Sequence, residues 1–118
     1  MKRRDKARTL AADLLPEMPL LPEPGVLRVL MIGDAIGKPG RKALEQELPS
    51  LRQERGIDFV TANGENVAGG MGLTLSTAAA MFDSGVDVIT SGNHIWDKRE
   101  LIPLLDGEPR ILLSLIHI

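Results

Sequence analysis

The chain is organised around one stretch, Thr90-Ser91-Gly92-Asn93-His94, which follows the apolar run Val86-Asp87-Val88-Ile89. A β-branched run that ends in Gly-Asn-His is typical of a buried strand whose carboxyl end carries polar side chains able to bind a ligand. In α/β proteins, sites normally lie at that edge of the sheet. The stretch therefore predicts a buried strand that delivers two polar side chains to a functional site.

Two earlier strand-like runs end in the same way. Val26–Ile32 is followed by Gly33-Asp34, and 58–62 is followed by Asn63-Gly64-Glu65-Asn66. Neighbouring parallel strands end at one edge of a sheet, so we expect their polar side chains to converge there. The residues predicted to form this cluster are Asp34, Glu65, Asn66, Asn93 and His94.

A helix is predicted between the first two strands. After a turn over 33–40, apolar residues recur at helical spacing. Pro49 removes one backbone hydrogen bond, which predicts a kink or a break there, and Gly56 is expected to cap the carboxyl end. The apolar face predicted for this helix consists of Ala43, Leu44, Leu48 and Leu51.

A second helix is predicted after the glycine-rich loop 63–73. Four glycines in this loop indicate a shaped turn that passes close to another part of the molecule. Thr74 is expected to cap the helix, and Ser84-Gly85 to end it. The predicted apolar face consists of Leu75, Ala78, Ala79 and Phe82.

A third helix and a fourth strand complete the pattern. Asp97 and Glu100 resemble a capping box, and a helix is predicted through Leu101, Leu104 and Leu105, with a strand starting near Arg110. Strands that alternate with helices over short links predict an α/β fold with parallel strands and right-handed helical crossovers.

Composition limits the functional classes. The net charge of −2 argues against binding nucleic acid by neutralising phosphates. The absence of cysteine means that any metal site must use oxygen and imidazole ligands. No apolar run approaches the ~20 residues of a membrane span, and the basic start lacks the apolar core of a signal peptide. We therefore expect no membrane association and a cytoplasmic location.

Three regions are predicted along the chain. Residues 1–24 are expected to be an amino-terminal extension or linker, because prolines interrupt them repeatedly. Residues 25–112 form the predicted partial domain. Residues 113–118, Leu-Ser-Leu-Ile-His-Ile, match the translation of a transposase adapter, CTG TCT CTT ATA CAC ATC, and are expected to be a cloning or sequencing scar.

The residues at the strand ends fit a metal site better than a phosphate loop. Gly33–Pro39 lacks the spacing and the hydroxyl of a Walker A loop. Carboxylate, amide and imidazole groups instead suit hard or borderline divalent ions, and a carboxylate such as Glu65 can bridge two ions in phosphoryl chemistry. Simpler roles stay open: Asp34 as a helix cap, Asn63 and Asn66 as turn residues with positive φ, and His94 as a loop histidine.

The motifs Gly33-Asp34, Asn63-Gly64-Glu65-Asn66 and Gly92-Asn93-His94, with Trp96-Asp97 after them, resemble the amino-terminal half of the YmdB-like family of calcineurin-type metallophosphoesterases. The resemblance runs from about Val26 to about Arg110. The wider superfamily usually has histidine at the position of Ile36 and a bridging aspartate at that of Glu65, which separates this branch from ordinary protein phosphatases.

The resemblance implies the amino-terminal half of an α/β/β/α sandwich with two divalent or trivalent metal ions, such as iron or manganese. It implies hydrolysis of phosphodiesters such as 2',3'-cyclic nucleotides. By residue match, Asp34 and Asn66 would hold one ion, Glu65 would bridge and Asn93 would hold the second, while His94 would be catalytic. Family members complete the site with three further histidines, so we expect the 118 residues alone to be inactive.

Several alternatives stay open. The partner could be a small cyclic nucleotide, an RNA end or a phosphoprotein, and a homo-oligomer is compatible with the sequence. A functional class without catalysis is a metal-free α/β binding or scaffolding module, in which the polar groups at the strand ends serve only as caps and turns.

Overall fold

The computed structural model describes residues 23–70, 72–92 and 102–113. Within these residues the chain forms a parallel sheet in the order β1-β2-β3-β4, with helices between successive strands. The predicted α/β fold is confirmed. The strands are β1 (Val29–Asp34), β2 (Phe59–Asn63), β3 (Val88–Ser91) and β4 (Ile111–Leu113), and the helices are α1 (Gly37–Arg55), α2 (Leu75–Ser84) and α3 (Ile102–Leu105).

Helix α1 runs without a break through Pro49, so the predicted break is wrong. Pro49 is exposed, and water can satisfy the carbonyl group that loses its partner. Leu44 and Leu48 are buried as predicted, whereas Ala43 is exposed. Gly56 ends the helix in the left-handed conformation, at φ 58°, which confirms the predicted cap.

The start of α1 is also earlier than predicted. The sequence pattern assigned 33–40 to a turn, but the helix begins at Gly37 and includes Pro39 in its first turn. The first amide groups of a helix have no partner within the helix, so a proline there removes no helical hydrogen bond.

Helix α2 begins at the predicted cap. The hydroxyl of Thr74 accepts a hydrogen bond from the backbone amide of Thr77, whose own hydroxyl accepts one from the amide of Thr74. The predicted apolar face is rotated, however: Leu75 is 58% exposed, and the buried residues include Thr77 and Met81. The reciprocal hydrogen bonds satisfy Thr77 and allow a polar residue to face the core.

Helices α1 and α2 pack against each other and cover one face of the sheet. Alternate residues of the strands point into this core, among them Val60 and Ile89, each with no exposed surface. Leu44, Leu48 and Met81 supply the helical side of the core. The core is therefore aliphatic, as the low aromatic content of 3% requires.

The opposite face of the sheet carries exposed apolar side chains. By strand alternation and register, Val29 and Met31 of β1 share this face with Phe59 of β2 and Leu112 of β4. Their exposed fractions range from 41% for Phe59 to 81% for Met31. A face of this composition is suited to packing against a second layer.

Within the described residues, no helix has the length and hydropathy to cross a bilayer. The predicted extension 1–24 lies almost entirely outside the described residues, as do Asp97, Glu100 and Leu101 of the third predicted helix. Leu113, the first residue of the predicted scar, is the last residue of β4.

Candidate metal centre

The carboxyl ends of the first three strands are level with one another. Asp34 pairs with Asn63, and Asn63 pairs with Thr90. The register shifts at Gly33, where β1 has one more residue than β2 between paired positions. This irregularity sets Asp34 beside the last residue of β2, at the edge where the sequence predicts a site.

Asp34 and Asn66 are in direct contact. The side-chain amide nitrogen of Asn66 donates a hydrogen bond of 2.8 Å to Oδ2 of Asp34. The two residues are 32 positions apart, so the fold itself brings them together. The hydrogen bond leaves Oδ1 of each side chain outside it, and carboxylate and amide oxygens are suitable ligands for a cation.

Glu65 carries a buried carboxylate oxygen without a partner. Its Oε2 is inaccessible to solvent and, among the described residues, has no hydrogen-bond partner. A buried carboxylate oxygen is costly unless a hydrogen bond or a cation compensates it. The orphaned oxygen is the observation that a metal ion would explain, and the oxygen-rich donor set suits hard divalent ions.

The loop that presents Glu65 is packed tightly at its start. A Cβ atom at Gly64 would lie 2.8 Å from Cγ2 of Ile89 and 3.1 Å from Sδ of Met81, both in the core. The predicted close approach of this glycine-rich loop is therefore confirmed at Gly64. The amide of Glu65 donates a hydrogen bond to Oδ1 of Asn63, which fixes the turn between strand and loop.

Two structural roles considered for these residues are wrong: Asp34 as a helix cap, and Asn63 and Asn66 as turn residues with positive φ. The residue at the amino-terminal cap of α1 is Ile36, which makes no side-chain capping bond, so Asp34 does not cap the helix. Among the described residues only glycines have positive φ, so neither Asn63 nor Asn66 is there for a left-handed conformation. Asn63 does act as a turn residue, through its side chain.

The first turn of α1 is attached to the same loop. The amide of Gly37 donates a 3.0 Å hydrogen bond to the carbonyl oxygen of Asn66. Nη1 of Arg41 donates a 2.9 Å hydrogen bond to the carbonyl oxygen of Val67. Arg41 was not predicted from the sequence, because a contact between a side chain and a distant backbone group leaves no local pattern.

The third strand ends at Ser91, one residue beyond the predicted end at Thr90, and Asn93 and His94 lie outside the described residues. Ser91, with 1% exposure, donates its hydroxyl to the carbonyl oxygen of Leu112 and fastens β3 to β4. In residues 23–70, 72–92 and 102–113, no three histidine or acidic side chains come together. The described part of the predicted site contains two acidic residues, Asp34 and Glu65, and the amide Asn66.

Residues 30–115 match the protein family described as YmdB-like protein. The chain belongs to the YmdB-like family. The family assignment from the sequence motifs is confirmed, and the matched range includes the residues of the candidate metal centre and all four strands except Val29, the first residue of β1.

Relatives and solved structures agree with the YmdB-like assignment. The chain is 41% identical over 86 residues to 2',3'-cyclic-nucleotide 2'-phosphodiesterase of Bacillus subtilis, covering 73% of this chain and 33% of the relative. A crystal structure of a protein from Thermus thermophilus, described as hypothetical, matches with a TM-score of 0.70 and 40% identity, covering 75% and 34% of the two chains.

A structure described as a novel phosphatase from Mycoplasma pneumoniae matches with a TM-score of 0.71 and 29% identity, covering 75% of this chain and 32% of that chain. The chain therefore shares its fold with a phosphatase. It spans about a third of the length of the curated relatives that it matches.

Proposed function

We propose that the protein carrying this YmdB-like chain is a metal-dependent phosphodiesterase that hydrolyses 2',3'-cyclic nucleotides. The observation that carries the proposal is the buried Oε2 of Glu65, which has no hydrogen-bond partner among the described residues. A carboxylate placed in this way is suited to a cation and costly without one. The activity named for the B. subtilis relative, 41% identical, supports the choice of substrate.

The proposed ligand set divides between two metal ions. Asp34 and Asn66, joined by a hydrogen bond of 2.8 Å, would hold one ion through their remaining oxygens. Glu65 would serve as a ligand of both ions, and Asn93 would hold the second. The proposed metals are iron, manganese or a similar ion, since carboxylate, amide and imidazole ligands suit such ions. When bound, such ions would polarise the phosphoryl oxygens and lower the pKa of a water nucleophile.

The protein residues position the reacting groups. The oxygen of a water molecule attacks phosphorus and gives up a proton to solvent, and the bond from phosphorus to a ribose oxygen breaks. His94 donates a proton to that leaving oxygen, as a positioned general acid. The product is a nucleoside monophosphate, and the relative's name, 2'-phosphodiesterase, favours cleavage at O2'.

A metal-free binding module is the competing function. In such a module the polar groups at the strand ends would be caps and turns. Asp34 is not the helix cap and Asn66 has no positive φ, so those roles do not account for either residue. These two observations favour the hydrolase.

The test uses the complete protein that carries this sequence. Purified protein is stripped with a chelator, reloaded with Mn²⁺ or Fe²⁺, and assayed on 2',3'-cyclic AMP, with 3',5'-cyclic AMP as the matched substrate. We expect turnover that disappears on stripping, returns on reloading and falls in Asp34→Asn. An RNA ending in a 2',3'-cyclic phosphate is assayed in parallel, and the faster of the two turnover rates shows whether the preferred substrate is a free nucleotide or an RNA end. Absence of turnover with every metal would contradict the proposal and favour the binding module.

A further inference from the structure

The loop that carries Glu65 and Asn66 is held against the start of α1 by three hydrogen bonds. The amide of Ala35 donates 3.1 Å to the carbonyl oxygen of Asn63, and the amide of Gly37 donates 3.0 Å to that of Asn66. Arg41 adds the third bond, 2.9 Å from Nη1 to the carbonyl oxygen of Val67. The three bonds are spaced along 63–67, on both sides of the two proposed ligands.

Arg41 supplies the one side-chain bond of these three. It projects from the second turn of a 19-residue helix, whose Leu44 and Leu48 are anchored in the core. A charged donor forms a stronger hydrogen bond than a neutral one. Arg41 therefore ties the loop to a rigid element at the residue directly after Asn66.

The loop needs such a tie because its sequence gives it little stiffness. Beyond Val67 it contains Gly69 and Gly70, both at positive φ. Its internal backbone bonds, from the amide of Val67 to the carbonyl oxygen of Gly64 at 3.3 Å and from the amide of Ala68 to that of Gly72 at 3.0 Å, do not join the loop to a helix. Groups that hold metal ligands in place contribute to metal affinity although they do not touch the ion.

We propose that Arg41 is a positioning residue that holds the 64–67 segment, and with it Glu65 and Asn66, in the geometry that binds metal. The proposal rests on the proposed metal site. The expected effect is local, because the bond from Arg41 joins the loop at Val67 and joins no strand of the sheet.

The test compares Arg41→Met with Lys42→Met in the complete protein. Both changes remove one positive charge, but Lys42 is exposed and adjacent, which makes it a matched control. The first readout is the Kd for Mn²⁺ by calorimetry. The second is hydrogen exchange of the amides of 64–70 in metal-free protein. Arg41→Lys keeps the positive charge and a donor group, so it tests whether a conservative replacement preserves metal binding.

We expect Arg41→Met to raise the Kd for Mn²⁺ by about 10–100-fold, Arg41→Lys to raise it less, and Lys42→Met to leave it unchanged. Exchange should accelerate in 64–70 and not in the strands. An Arg41→Met protein with wild-type Kd and wild-type loop exchange would overturn the proposal. So would failure of Arg41→Met to fold, because the role of Arg41 would then be general stability and would not be confined to the loop.

The experiment tests the proposed metal site and the proposed role of Arg41 independently. If the wild-type protein binds no Mn²⁺, the proposed metal site is wrong, and hydrogen exchange alone then decides whether Arg41 holds the loop. If the wild type binds Mn²⁺ and Arg41→Met binds it equally well, only the role of Arg41 is wrong.

Discussion

Replacement of Gly64 by alanine should destabilise the YmdB-like domain by about 1–3 kcal/mol, the usual cost of adding a group to a packed core. The added Cβ would lie 2.8 Å from Cγ2 of Ile89, about 0.6 Å short of the 3.4 Å at which ordinary contact begins. Sδ of Met81 would lie 3.1 Å away. The penalty is one of packing, because the backbone of Gly64 is not in the left-handed region.

The neighbours of Gly64 have little room to retreat. Ile89 and Leu73 have no exposed surface and Met81 has 1%. The Ile89 methyl group lies on a β-branched side chain with a stiff χ1 angle, whereas the end of Met81 can move more easily. The loop itself must therefore shift, and the next residue in it is Glu65. We expect weaker metal binding together with the loss of stability.

Urea unfolding of the metal-free complete protein measures the first effect, and the Kd for Mn²⁺ measures the second. Gly107→Ala is the control, since a Cβ there meets nothing within 4 Å and the backbone has no positive φ. A free energy of unfolding for Gly64→Ala within about 0.5 kcal/mol of the control would refute this reasoning, because surface substitutions commonly reach that size.

Three further substitutions test the fold. Thr74→Ala should lower the free energy of unfolding by about 0.5–2 kcal/mol, because it removes the cap of α2; equal urea midpoints for mutant and wild type would contradict this. Asp87→Ala should lower the free energy of unfolding by about 1–3 kcal/mol, since Oδ2 of Asp87 accepts hydrogen bonds from Arg52 at 2.9 Å and from the amide of Val60 at 2.8 Å. Metal affinity should not change. Met31→Lys should destabilise the complete protein by at least about 1.5–3 kcal/mol if a second layer covers this 81% exposed residue, and a neutral effect would argue against that layer.

Local signals predicted the ends of the helices well. Gly56 and Gly85 both take the left-handed conformation at the ends of α1 and α2, and Thr74 caps α2. These residues act on their immediate neighbours, so the sequence alone contains the information. The parallel arrangement followed from the alternation of strands and short links for a similar reason.

Predictions that depend on packing were less accurate. Hydropathy favoured Leu75 for the core, but Met81 is buried and Leu75 is 58% exposed, because the orientation of α2 is set by its contacts with α1 and β3. Pro49 was expected to kink or break α1, but the helix continues through it, and the buried Leu44 and Leu48 anchor the turns directly before it. Tertiary contacts override local preference in both cases.

In the candidate site, too, the local residue pattern was predicted from the sequence, whereas the contacts that depend on packing were not. The residue types at the strand ends identified Asp34, Glu65 and Asn66, and the fold brings Asp34 and Asn66 to 2.8 Å. The burial of the Glu65 oxygen and the bond from Arg41 to Val67 required the structure, since both depend on how the loop folds back over α1. The roles of Asn93 and His94 stay predictions from the sequence.

The most direct test of the account is the metal content per chain of the complete protein, compared between wild type, Glu65→Gln and His94→Ala. We expect about two ions in the wild type and substantially fewer in Glu65→Gln, because a bridging carboxylate offsets the repulsion between the ions. His94→Ala should keep its metal while turnover falls about 10²–10⁴-fold, as for a lost general acid. Full metal content in Glu65→Gln, with metal lost from His94→Ala, would contradict the assignment of both residues.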